Sequence, residues 1–153
     1  MKIQLRQIST VREISVDIIY NRETNELHRL LEYLELYDQY LICEEESKQI
    51  KVSLKDIFYI EVLERKTFVY CLIKVYECKE KLVELEEKIK KFGYLRINRT
   101  CLLNLEVLTS MKILTNSRLE ATLENGEKVI ISRKYIREIQ KYFELKKEGH
   151  YGK

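Results

Sequence analysis

Between residues 41 and 132 the chain is a series of short apolar runs of strand length, each stopped by a few polar residues, and this limits the folds open to it. Gln49–Val52, Ile57–Ile60 and Thr67–Ile73 are rich in β-branched and aromatic residues, a composition suited to pleated, half-buried surfaces. Later runs cover Tyr94–Ile97, Cys101–Leu105, Val107–Thr115, Arg118–Leu123 and Lys128–Ile131; in the fourth, Leu119, Ala121 and Leu123 alternate inward. Asn125-Gly126 between the last two is a type I′ hairpin signal, and Glu64-Arg65-Lys66 forms another hairpin tip. One helix interrupts the strands, with Leu82, Leu85, Ile89 and Phe92 on one face and mostly Glu and Lys opposite. A last helix begins near Ser132 and buries Tyr135 or Ile136, Ile139 and Phe143. The pattern predicts an α+β or mostly-β domain built from antiparallel hairpins.

The first 41 residues differ. Ile3, Leu5 and Ile8 give a weak strand signal, and Ile14, Val16, Ile18 and Tyr20 alternate cleanly. Leu27, Leu30, Leu31, Leu34 and Leu41 then recur at helical spacing, with Asn21 or Thr24 as the cap. A strand-strand-helix unit of this size has too little core to stand alone and must pack on the rest or on a second copy. The expected organisation is an extension over 1–41, a main domain over 42–147 and a flexible tail over 148–153. With 153 residues, no proline and a first glycine at Gly93, composition marks no linker.

Two polar clusters sit where strands end: Arg96-Ile97-Asn98-Arg99-Thr100 and Ser132-Arg133-Lys134-Tyr135. Their side chains are those that hydrogen-bond phosphates and base edges. Net charge is only +3. It is unevenly spread: residues 1–90 carry 15 Lys and Arg against 18 Asp and Glu, and residues 91–153 carry 13 against 7. The basic half holds both clusters, as expected of a nucleic-acid footprint, although a solvated basic face has the same composition. With Ser132 as N-cap, Arg133 and Lys134 oppose the positive end of the helix dipole, a penalty of about 0.3–1 kcal/mol that an anion docked there would remove. In a strand, Arg96, Asn98 and Thr100 share a face, while Arg99 projects from the turn that follows. Asn104, within an apolar run, is expected to close a turn. Arg65-Lys66-Thr67 is a further basic tip, and Lys112 and Arg118 flank a turn at Asn116-Ser117.

Other classes find less support. There is no Gly-rich phosphate loop, and His28 and His150 lie far apart, so an enzyme with a small-molecule substrate is not expected. Cys43, Cys71, Cys78 and Cys101 lack metal-ligand spacing; no metal or cofactor is expected, and Cys71 and Cys101 suit small buried thiols. No paired aromatics form an RNA-recognition pattern. No apolar run approaches ~20 residues and the start has no signal-peptide core, which predicts a cytoplasmic protein.

The ordered blocks Asp56–Glu61, Thr67–Tyr70, Tyr94–Leu105, Glu120–Lys128 and Ile131–Tyr135 together resemble the bacterial LytTR DNA-binding domain over roughly residues 42–145. The resemblance implies packed antiparallel sheets with short helices that bind double-stranded DNA through loops entering successive major grooves. It implies base contacts from Lys66 and Thr67, from Asn98 and Arg99, and from Arg133. Phosphate contacts fall to Thr100, Ser132 and Lys134, with Arg96 assigned beside them. Many members carry His where this chain has Asn98, so base preference there is its own. The chain resembles the short, stand-alone regulators without a receiver domain, which are often paired with a small membrane protein. The expected function is a sequence-specific transcription regulator, with a homodimer through the extension suited to repeated promoter sites. The competing reading is a protein–protein interaction module without specific DNA binding.

Overall fold

A computed structural model describes residues 1–151, with side chains described for residues 1–144. The tail expected over 148–153 lies outside the residues whose side chains are described. Among the described residues, ten strands form two antiparallel sheets. The larger holds β1 (Tyr40–Glu45), β2 (Lys48–Ser53), β3 (Ile57–Leu63), β4 (Lys66–Cys71), β5 (Val75–Cys78), β6 (Tyr94–Asn98) and β7 (Cys101–Asn104), in the order β2-β1-β5-β4-β3-β7-β6. The smaller holds β8 (Leu108–Ile113), β9 (Leu119–Leu123) and β10 (Lys128–Ile131), in the order β10-β9-β8. Helix α1 (Asn25–Tyr37) precedes the strands, α2 (Leu82–Ile89) joins β5 to β6, and α3 (Arg133–Tyr151) follows β10.

The sheets meet across the β6–β7 hairpin. Every residue of β7 is buried, and β6 exposes no residue fully. Alternation along these strands sends Leu102 and Tyr94 into one core with Ile60, Val69 and the α2 residues Leu85 and Ile89. Cys101, Leu103, Leu95 and Ile97 face a second core with Leu119, Ala121, Leu123, Ile131 and Ile139 of α3. Burial on both faces explains why Cys101–Leu105 is nearly continuous in apolar residues rather than alternating.

Asn104, 3% exposed, is the polar interruption in that run. Its Nδ2 donates to the Ile57 carbonyl at 2.9 Å and its Oδ1 accepts from the Glu106 amide at 3.0 Å. The Tyr94 hydroxyl also donates to the Ile57 carbonyl, at 3.1 Å. Both bonds fall where the β3–β4 register shifts between Ile57 and Tyr59. Asn104 therefore closes backbone groups, as its sequence context implies.

Several expectations need correction. Residues 1–24 contain no strand: Ile14 is 96% and Ile19 98% exposed. An alternating run becomes a strand only where a partner ladder and an apolar surface receive it, and neither is present here. The helix is correct, with the Leu27 amide donating to Thr24 Oγ1 at 3.1 Å, but Leu41 belongs to β1. Helix α1 contacts α3 and the 3-10 turn Leu54–Asp56, with Leu27, Leu30, Leu34 and Leu36 half-buried. The run Thr67–Ile73 ends at Cys71, where a turn exposing Leu72 and Ile73 sends the chain into β5.

The Asn125-Gly126 hairpin forms, but not as type I′. Only Gly126 is left-handed (φ 85°), Leu123 pairs with Glu127 at 2.8 Å, and Asn125 Oδ1 accepts from the Glu127 amide at 3.0 Å. This is a three-residue loop with glycine in the bulge position. Two-residue tips with both residues left-handed occur at Glu46-Ser47 and Glu64-Arg65, where no glycine or asparagine announces them.

Of the thiols, Cys101 is buried as expected and Cys71 is half-buried. Cys43 and Cys78 are buried too, and the β1–β5 register, Glu44 opposite Glu77, sets them across from each other.

Asn104→Ala removes the donor to Ile57 and the acceptor for Glu106 inside the core. It is expected to lower stability by about 1–3 kcal/mol, read as a lower urea midpoint at unchanged slope. An unaltered midpoint would contradict this role for Asn104.

Candidate nucleic-acid interface

Antiparallel register decides which turns share an end of the molecule. β3 pairs with β7 with Glu61 opposite Cys101, so the β3–β4 tip and the β6–β7 turn leave the sheet at the same end. The Val62 amide donates to the Thr100 carbonyl at 2.8 Å, tying the two together. The Ser132 amide donates to the Ile97 carbonyl at 2.8 Å, which sets the start of α3 beside the same hairpin. Ile131 pairs with Leu119, and continuing that register puts Arg118 opposite Ser132. The two sequence clusters and the basic tip thus converge on one end.

The β3–β4 tip consists of Glu64 and Arg65, both left-handed at φ 50° and 65°. Such a backbone disfavours any residue with a Cβ. Arg65 and Lys66 are exposed. Thr67 departs from its expected role: it is 7% exposed, on the same inward face of β4 as Val69, and its register partners Val62 and Cys78 flank it. Its side chain is not presented to a ligand, because strand alternation turns it into the core one residue after Lys66. The sequence names Arg65 as part of this tip, and the structure puts it at the apex.

The β6–β7 turn is Arg99-Thr100, both exposed. Asn98 is half-buried and its Oδ1 accepts from the Thr100 amide at 2.9 Å and the Thr100 hydroxyl at 3.1 Å, which fixes the turn through its side chain. Asn98 therefore keeps its amide donors for any outside contact. Thr100 lies in the turn rather than on a strand face with Arg96 and Asn98. Arg96 also differs from its assignment to phosphate. Its side chain is 17% exposed, its Nε donates to Glu86 of α2, and its Nη1 donates to the Arg99 carbonyl at 2.5 Å. A guanidinium already neutralised and half enclosed is poorly placed for a phosphate.

At α3, Arg133 and Lys134 are exposed in a first turn that holds no acidic residue. Ser132 is half-buried, and its carbonyl accepts from the Tyr135 amide at 2.9 Å. Lys134 Nζ lies 5.5 Å from the Tyr135 ring centroid. Among the described residues, Arg65, Lys66, Arg99, Arg118, Arg133 and Lys134 form no ion pair, whereas Lys74, Lys79, Lys88, Lys90 and Lys128 elsewhere do. Cations without an ion pair occur elsewhere among these residues too, Lys48, Lys51 and Lys81 among them, but these six stand together where the turns converge.

The fold and its converging turns define a class, a β-rich domain of packed antiparallel sheets with cationic turns along one end. Within that class the chain belongs to the LytTr DNA-binding domain family, whose model matches residues 47–144. It is 27% identical over 100 residues to the sensory transduction protein LytT of Bacillus cereus, covering 65% of this chain and 41% of that protein. It is 28% identical over 89 residues to the protein of the same name from Enterococcus faecalis, covering 58% and 37%. The chain thus spans about two fifths of the length of these relatives. A solved LytTr DNA-binding domain from Bacillus cereus superposes with a TM-score of 0.63 at 23% identity, covering 68% of this chain and 95% of that one. That likeness supports the fold of packed antiparallel sheets.

The left-handed backbone at Arg65 gives a test of the tip itself. Arg65→Gly is expected to raise stability by about 0.5–1 kcal/mol, because glycine takes positive φ without a Cβ clash. A melting temperature higher by a few degrees is the supporting result; a drop would show that the arginine side chain holds the tip.

Proposed function

We propose that this member of a DNA-binding transcription-regulator family is a sequence-specific regulator whose three turns enter successive major grooves of double-stranded promoter DNA bearing repeated sites. The observation that carries the reading is the convergence of Lys66, Asn98-Arg99 and Arg133 on one end of the fold without intramolecular counter-ions. Arg99 and Arg133 supply forked donors suited to guanine O6 and N7, and the Asn98 amide supplies donors to a base edge. Lys134, Thr100 and Ser132 flank them as phosphate contacts, and Arg65 replaces the buried Thr67 beside Lys66 in the first turn. The dipole penalty at Arg133 and Lys134 falls away once a phosphate docks there.

On this reading, residues 42–147 form the DNA-binding unit and residues 1–41 an appended contact element. Leu5 and Ile14 are 92% and 96% exposed, and α1 leaves Leu31, Tyr33 and Tyr37 in solvent. An apolar surface of this kind favours association, here a homodimer that would bring two DNA-binding units onto repeated half-sites. A membrane-bound regulatory protein is the other partner proposed for the element. The protein itself has no helix long and apolar enough to cross a membrane among the described residues.

Binding-site selection on the purified chain should return a repeated motif. Arg99→Ala and Arg133→Ala should each weaken the selected duplex by about 1–3 kcal/mol and blur its sequence, while Lys134→Ala should weaken all duplexes alike. If about six phosphates are neutralised, log K falls against log salt with a slope near −5. Equal affinity for selected and random duplexes at moderate salt would sink the proposal. Sedimentation of the chain should give a dimer, free or on DNA; a monomer in both settings rules out the dimer alone.

A further inference from the structure

Arg96 is the one cation of the first polar cluster that points away from solvent. It sits between α2 and the β6–β7 turn, joined to the Glu86 carboxylate on one side and to the Arg99 carbonyl on the other. The turn it reaches has only two residues, Arg99 and Thr100, and neither is left-handed. Three independent bonds fix its backbone: Arg96 to the Arg99 carbonyl, Asn98 Oδ1 to the Thr100 amide, and the Val62 amide to the Thr100 carbonyl. Two of these come from strands that the fold holds rigidly. The third depends on a long side chain that would sample many rotamers without Glu86 to anchor it.

The surroundings support a mechanical role. Helix α2 presents Glu86 at its outer face while Leu82, Leu85 and Ile89 lock its inner face into the core. Lys90, just past α2, pairs with Glu138 of α3 at 3.2 Å. The α2 region thus reaches both cationic elements that flank it: the Arg99 turn through Glu86–Arg96, and α3 through Lys90–Glu138. A side chain used this way contributes little net charge to a polyanion, because its cation is already balanced.

We propose that the Glu86–Arg96 pair is a positioning device for sequence discrimination: it sets the height and orientation of the Arg99 turn from behind, and Arg96 itself does not contact phosphate. The inference rests on the reading of Arg99 as a base contact. A turn held at a defined height places the Arg99 guanidinium for a forked contact; a loose one still attracts phosphate but discriminates less.

Two measurements on the full chain decide it. In the first, Arg96→Ala, Glu86→Gln and the double variant are titrated with the selected duplex and a random duplex over a range of salt. The expected result is a roughly 10-fold smaller affinity ratio between the duplexes in each single variant, with no further loss in the double variant and an unchanged salt slope. A phosphate contact behaves oppositely. Arg96→Ala would weaken both duplexes equally and reduce the slope by about 0.9, and Glu86→Gln would tighten binding by freeing a cation. That result overturns the proposal and leaves the regulator reading intact, whereas a wild-type chain that fails to discriminate defeats the regulator reading itself. The second measurement needs no DNA: backbone NMR relaxation of Arg99 and Thr100 in free Glu86→Gln, a substitution that keeps the shape of the side chain and an acceptor. Increased turn mobility, with core order unchanged, is expected. A turn as rigid as wild type overturns the positioning role whatever the DNA titrations show.

Discussion

The burial of the β6–β7 hairpin on both faces is the constraint on which the rest of the molecule depends. Tyr94 and Leu102 belong to one core, Leu95, Ile97, Cys101 and Leu103 to the other, so this hairpin joins the large sheet, the small sheet, α2 and α3. A strand packed on both faces has no freedom to slip register, because a one-residue shift would exchange the two cores. The turn at its end inherits that fixity. Arg99 and Thr100 stand at the tip of the most enclosed element in the fold, and Ser132 is bonded to the same element through Ile97.

Against that rigid frame, the residues at the converging end are poorly chosen for folding alone. Arg65 occupies a left-handed position that glycine or asparagine would fill with less strain. Arg133 and Lys134 oppose a helix dipole in a first turn without a carboxylate. Lys66, Arg99 and Arg118 join them without an ion pair among the described residues. Cations in positions that local folding preference disfavours are the pattern expected of a surface shaped by an anionic ligand. Membership of the LytTr DNA-binding domain family is consistent with that ligand being duplex DNA.

Much of this was legible in the sequence because its cause was local. The inward alternation of Leu119, Ala121 and Leu123 and the helical face of Leu82, Leu85 and Ile89 follow from side-chain period alone. Asn104 could be placed because a lone amide in an apolar run must satisfy itself on backbone. What escaped was set by distant partners. The alternating residues 14–20 look like a strand, yet no ladder receives them. The left-handed tip at Glu64-Arg65 carries no turn residue, and the turn at Leu72-Ile73 is apolar, so β5 had no signal. At the site, the basic clusters were visible but their division of labour was not. The burial of Thr67 depends on where β4 starts, and the engagement of Arg96 depends on a helix ten residues earlier in the chain.

On the proposed reading, the turns at 64–66 and 98–100, together with the start of α3, form one DNA-binding surface. Amide hydrogen exchange of the full chain, with and without a selected duplex, tests it most directly. DNA is expected to slow exchange together at 64–66, 98–100 and 132–135, while the turn at Leu72-Ile73 on the far end of the sheet keeps its free rate. Slowing confined to residues 1–37 or to the Leu72-Ile73 turn, with the three cationic segments unchanged, would contradict it.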